Sequence, residues 1–73
     1  MLKLKLTSGR KLIKLLLKVG FEVSHQKGSH IFLAKAGKII TVPVHSNKDL
    51  GRGLILKILK DAKISKGFYE NKI

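Results

Sequence analysis

Three histidines, His25, His30 and His45, are the only side chains in this chain suited to acid–base work near neutral pH, since it contains no cysteine. His30 closes the run Lys27-Gly28-Ser29-His30. A lysine, a flexible glycine and an imidazole could together receive a phosphodiester. Gly28 would let backbone N–H groups approach phosphate oxygens, Lys27 would supply charge, and the imidazole could exchange a proton. Ser29 and His30 do not make a nucleophile–base pair, because adjacent side chains on a regular strand point to opposite faces. His45 follows Pro43, which fixes the chain, and opens a polar loop through Lys48 and Asp49 to Leu50. Nothing chemical flanks His25. A lone histidine on a strand is more often a surface residue without a role, and spacing alone favours that reading even for His30. The carboxylates Glu22, Asp49, Asp61 and Glu70 are scattered, so a two-metal phosphoryl site is not expected. The lack of cysteine removes zinc ribbons, thiolate iron clusters, disulfides and cysteine nucleophiles.

The elements that must position these residues follow from periodicity. Ser8 is placed to cap a helix from Gly9 or Arg10 to Val19, with Gly20 as its stop. Leu12, Leu15, Leu16 and Val19 form one apolar stripe, widened by Ile13 and Leu17, while Lys11, Lys14 and Lys18 take the other side. Period two then takes over. Strands are expected at Phe21–His25, His30–Ala34 and Ile39–Val42, with a turn at Ala36-Gly37-Lys38. Pro43 removes a ladder donor and belongs at a strand end or sheet edge. In the second strand His30, Phe32 and Ala34 share one face, and Ile31 and Leu33 share the other. If the aliphatic face is the core, His30 lies on the open face beside Phe32. A second helix is expected from about Gly51 to Ala62, with Ile55, Ile58, Leu59 and Ala62 as its stripe. Ser65 is suited to cap a short terminal turn. The order predicts a small α+β domain, α-β-β-β-α, with a three-stranded antiparallel sheet covered by two helices on one face. Double-stranded RNA-binding domains (dsRBDs) share that architecture. A single domain is expected over residues 1–73, with fraying at 1–7, and at 66–73 unless Phe68 and Tyr69 dock.

Size and charge bound the function. A chain of 73 residues excludes a deep two-domain cleft, and 16 Lys and Arg against 4 Asp and Glu leave a net charge of +12. Solvated helix faces explain where the lysines fall but not the imbalance, because ordinary surfaces mix both signs. The excess asks for an anionic partner: nucleic acid, an anionic membrane surface or an acidic protein. No apolar run nears the ~20 residues that span a bilayer, and the Leu/Lys alternation of residues 1–6 is no signal peptide. A cytoplasmic protein is therefore expected. Membrane-surface binding by the first helix ranks last, since the strands that follow give its apolar face somewhere to pack.

Over roughly residues 8–65 the sequence resembles the HicA-type toxins, small mRNA interferases of prokaryotic toxin–antitoxin pairs. The resemblance rests on Lys11-Leu-Ile-Lys-Leu-Leu16, Gly20-Phe21, Lys27-Gly28-Ser29-His30, Val42-Pro43 with His45, Lys48-Asp49-Leu50, Gly53, and Ile58-Leu59-Lys60. It implies a dsRBD-like fold and RNA cleavage with no metal and no cofactor. His30 would be the catalytic histidine, with Gly28 and Ser29 shaping its turn, and a HicB-type antitoxin, expected to be acidic, would cover the site. Two departures stand out: Ile31 replaces the second histidine that many members carry, and Gly53-Leu54-Ile55 replaces Gly-Thr-Leu. The expected function is an mRNA endoribonuclease with His30 as catalyst, and Lys27, Gly28, Ser29, His45 and Lys48 toward the RNA phosphates. The alternative is a non-catalytic RNA-binding module that reads A-form shape and phosphates.

Overall fold

The computed structural model describes residues 4–46 and 48–73. It has the α+β order expected, with one helix more: α1 (Gly9–Lys18), β1 (Glu22–Lys27), β2 (His30–Lys35), β3 (Lys38–Pro43), α2 (Arg52–Ala62) and α3 (Lys66–Lys72). The strands form one antiparallel sheet in the order β1-β2-β3.

The caps behave as the sequence suggests. The Ser8 hydroxyl accepts from the Lys11 N–H at 3.4 Å, satisfying one of the donors that a helix start leaves open. At the far end Val19 caps α1, and Gly20 follows at φ +105°. Phe21 is not part of β1. Its N–H bonds the Leu16 carbonyl at 3.0 Å and its ring is buried, so the strand begins one residue later than the alternation suggests. Both hairpins use two-residue turns. Lys27 pairs with His30 across Gly28-Ser29, and Lys35 pairs with Lys38 across Ala36-Gly37, so Lys38 belongs to β3 rather than to the turn. Gly28 sits at φ +60° in the first turn position, where II′ hairpins place glycine. Pro43 ends β3, an edge strand, where a missing donor costs no ladder bond.

One core lies between the helices and one sheet face. Leu12, Ile13, Leu15 and Leu16 of α1 and Ile55, Ile58 and Leu59 of α2 pack with Leu33, Ile40 and Val42. Leu17 does not join them: it is 45% exposed, so the apolar stripe of α1 is narrower than its leucines suggest. The C-terminal segment is a helix rather than a frayed turn. Ser65 caps α3 by accepting from the Phe68 N–H at 3.1 Å, and Tyr69 is fully buried while Phe68 stays half in solvent. The Tyr69 hydroxyl donates to the Lys5 carbonyl, and the Lys5 N–H donates to Glu70 Oε2 at 2.8 Å. This clasp joins positions 64 residues apart. Burial, and then the carboxylates of Glu70 and Asp49, push the Tyr69 pKa up to about 12.

Candidate functional site

Because Leu33, Ile40 and Val42 face the helices, His30, Phe32 and Ala34 stand on the sheet's other face, which none of α1, α2 and α3 covers. Their partners on β3 are Pro43, Thr41 and Ile39. On β1, Lys27 lies opposite His30 and is exposed with it. The turn between them is braced by a hydrogen bond from Gln26 Nε2 to the Gly28 carbonyl at 3.0 Å. The hairpin thus brings Lys27, Gly28, Ser29 and His30 together at one end of the open face.

His45 and Lys48 belong to a neighbouring feature. The Val44 N–H donates to the Ser29 carbonyl at 2.7 Å, which fastens the start of their loop to the hairpin. The Lys48 N–H donates to the His45 carbonyl at 3.1 Å, closing a turn in which Ser46 takes φ +53°. His45, Lys48 and Asp49 line an open depression of about 580 Å³. Asp49 places a carboxylate among groups expected to meet phosphate, so this loop is less purely cationic than the hairpin. Its far side is held against the start of α1: the Leu50 N–H donates to the Thr7 carbonyl at 2.8 Å, and Ser8 bridges Asp49. Gly9 packs so closely on the Pro43 carbonyl that a side chain there would collide with it. The helix start, the end of β3 and the His30 hairpin therefore form one connected unit.

His25 was the histidine with least to recommend it in the sequence, and the structure puts it on the same face as His30. The pairing slips between Val23 and His25, so that Val23 opposes Leu33 while His25 opposes Phe32. Ser24 is the extra residue of a β-bulge, and a bulge reverses the side on which every later residue of the strand emerges. The His25 and Phe32 rings stack with centroids 4.2 Å apart and planes 7° from parallel. The Ser24 hydroxyl lies 3.1 Å from His25 Nδ1. Nothing in the apolar/polar alternation marks the bulge.

A larger depression, about 600 Å³, opens at the other end of the sheet between Val19, Phe21, Ile64 and Phe68. It contains no histidine, and Lys35 and Lys38 at its edge are engaged with the carbonyls of Val19 and Asp61. Among the described residues no three His, Cys, Asp or Glu side chains gather as a metal site would require. The histidines therefore lie away from this depression: His25 and His30 on the open face, and His45 in the loop fastened to the His30 hairpin.

Residues 9–64 match the sequence profile of a family described as HicA toxin of bacterial toxin–antitoxin. The chain belongs to the HicA toxin family. The match runs from the first residue of α1 through the sheet and α2, and takes in both the His30 hairpin and the His45 loop. Membership makes the protein the toxin of a toxin–antitoxin pair and gives it an antitoxin as partner. Of the two departures noted in the sequence, Ile31 lies on the core side of β2, half-buried against the apolar cluster. The other, Gly53-Leu54-Ile55, falls in the first turn of α2, which starts from Gly51 with no side-chain cap. The HicA match ends at Ile64, before α3. No curated protein matches the chain. Among the described residues no helix is long and apolar enough to cross a membrane.

Proposed function

We propose that this HicA toxin is an endoribonuclease that cleaves mRNA in the cytoplasm, with His30 as its general base and acid. The observation that carries the reading is the pairing of an exposed imidazole with Lys27 across a tight hairpin, on a sheet face left open to a polymeric substrate. RNA brings its own nucleophile, so the protein need supply only proton transfer and charge stabilisation. His30 takes the proton of the 2′-OH as the O2′–P bond forms. The pentavalent phosphorane gains negative charge, which Lys27 and the backbone N–H groups of the hairpin offset. The P–O5′ bond then breaks, and the departing oxygen takes a proton from the imidazolium of His30 or from His45. The products are a 2′,3′-cyclic phosphate and a 5′-hydroxyl. Neither a metal nor a cofactor has a step to perform. Ser29 and Lys48 would meet the flanking phosphates, and a HicB-type acidic antitoxin, drawn by the +12 charge, would silence the toxin by covering this face.

General acid–base catalysis typically contributes ~10²–10⁴-fold. His30→Ala should therefore lose at least about a hundredfold in cleavage rate and keep most of its RNA affinity, as measured on a labelled oligonucleotide. Unchanged cleavage would remove His30 from the mechanism. No cleavage by the wild-type protein, with RNA binding intact, would favour the passive RNA-binding module. A single 2′-deoxy nucleotide at the cut site should block the reaction, and continued cutting there would rule out attack by the 2′-OH.

A further inference from the structure

We infer that the stacked His25–Phe32 pair is a nucleobase platform, so that the toxin takes its RNA as a single strand with one base laid on these rings and a neighbouring phosphate at His30. This rests on the endoribonuclease reading and specifies how that site holds its substrate.

An aromatic ring can be buried in the core, as Phe21 and Tyr69 are, yet Phe32 stands on the face that none of the three described helices covers. Its partner there is a planar imidazole rather than an aliphatic side chain, and the two rings are nearly parallel. Parallel rings at stacking distance on an open sheet accept a third planar ring with little reorganisation, and stacking of bases on such aromatics is the common way sheets hold single strands. The Ser24 hydroxyl beside Nδ1 holds the imidazole in place, so the bulge both delivers His25 to this face and orients it.

The face is also polarised along the strands. Lys27, opposite His30, stands at one end, while Glu22, opposite Ala34, stands at the other. On this face a phosphate is favoured beside Lys27, with the ring pair between it and Glu22. Phe32 is two residues from His30 on β2, about 7 Å along the strand, the scale that separates a base from an adjacent phosphate. Thr41, exposed opposite Phe32, offers a hydroxyl to the edge of a stacked base. Bases inside a duplex already stack on each other and cannot reach the rings, so the platform selects unpaired RNA.

The test uses a fluorescently labelled single-stranded RNA made uncleavable by 2′-deoxy substitution at the cut site, with binding read by anisotropy. Phe32→Leu keeps an apolar side chain on the strand but removes the ring, and should weaken binding roughly 5- to 150-fold. Abasic nucleotides scanned through the same RNA should reveal one position where the wild type loses this affinity and Phe32→Leu loses nothing further. His25→Ala, on an exposed edge strand, gives the same comparison without touching the core and should show the same position. Equal losses in wild type and variants at every abasic position would overturn the platform. So would variants that bind RNA normally but escape neutralisation by the co-encoded antitoxin, an outcome that assigns the face to the protein partner. Equal affinity for a duplex of the same sequence would also overturn it. Failure of the wild type to bind any RNA is a separate result, and it would remove the endoribonuclease reading itself.

Discussion

Lys27 and His30 face each other across a two-residue turn, and that geometry divides the work between them. If Lys27 offsets charge on the phosphorane, Lys27→Ala should reduce kcat more than it raises KM. The loss should be about tenfold, smaller than the ~10²–10³ of an enclosed oxyanion donor because water competes at an exposed site. Lys27→Arg should restore most of it; single-turnover cleavage separates the two effects. The position of His30 follows from strict alternation, since Leu33 must turn inward and His30 therefore turns outward. His25 does not follow in this way. Read by simple alternation it shares a side with Val23, and only the bulge at Ser24 sends the two to opposite sides. The bulge has no composition of its own here, being an ordinary serine between a valine and a histidine.

Among the elements, α1 and the sheet were the most legible, because a period of 3.6 gives way cleanly to a period of two at Gly20-Phe21. What periodicity does not encode is how elements approach one another. Gly9 reads as a poor first residue for a helix, but in the structure it is the point where α1 touches the end of β3. Gly9→Ala improves local helix propensity and drives a methyl group into the Pro43 carbonyl. The expected net effect is destabilisation of about 1–3 kcal/mol, as for overpacking elsewhere. Thermal unfolding should show this as a Tm drop of about 4–8 °C per kcal/mol. The start of β3's following loop moves with Pro43, so cleavage should fall as well. In α2, which its stripe places from about Gly51 to Ala62, the structure begins the helix at Arg52 and ends it at Ala62, followed by Lys63 as a non-glycine C-cap in the left-handed region (φ +58°). In α3 the outcome depended on whether two aromatics would dock. Only Tyr69 does, because its hydroxyl finds the Lys5 carbonyl.

For the molecule as a whole, net charge governs how strongly RNA is held without deciding where it is cut. Affinity for a single strand should fall linearly with log salt, with a slope near −0.7 per phosphate neutralised; titration at several salt concentrations measures how many lysines take part. Alkaline stability depends on Tyr69. In the unfolded chain its phenol ionises near 10, and in the folded protein near 12. Stability from this group is complete below pH 10 and is lost as pH rises toward 12, because ionisation first rewards the unfolded state. Urea unfolding at pH 9 and 11 should show a smaller alkaline loss in Tyr69→Phe than in wild type. The clasp that this phenol makes also has a kinetic consequence. The three strands are neighbours in sequence and can pair through short loops, whereas the bond from Tyr69 to Lys5 must close 64 residues. A contact of this separation is expected to form late in folding, so Tyr69→Phe should speed unfolding and leave refolding nearly unchanged in stopped-flow experiments. The meander sets how quickly a toxin molecule becomes active, and the clasp sets how long it stays folded.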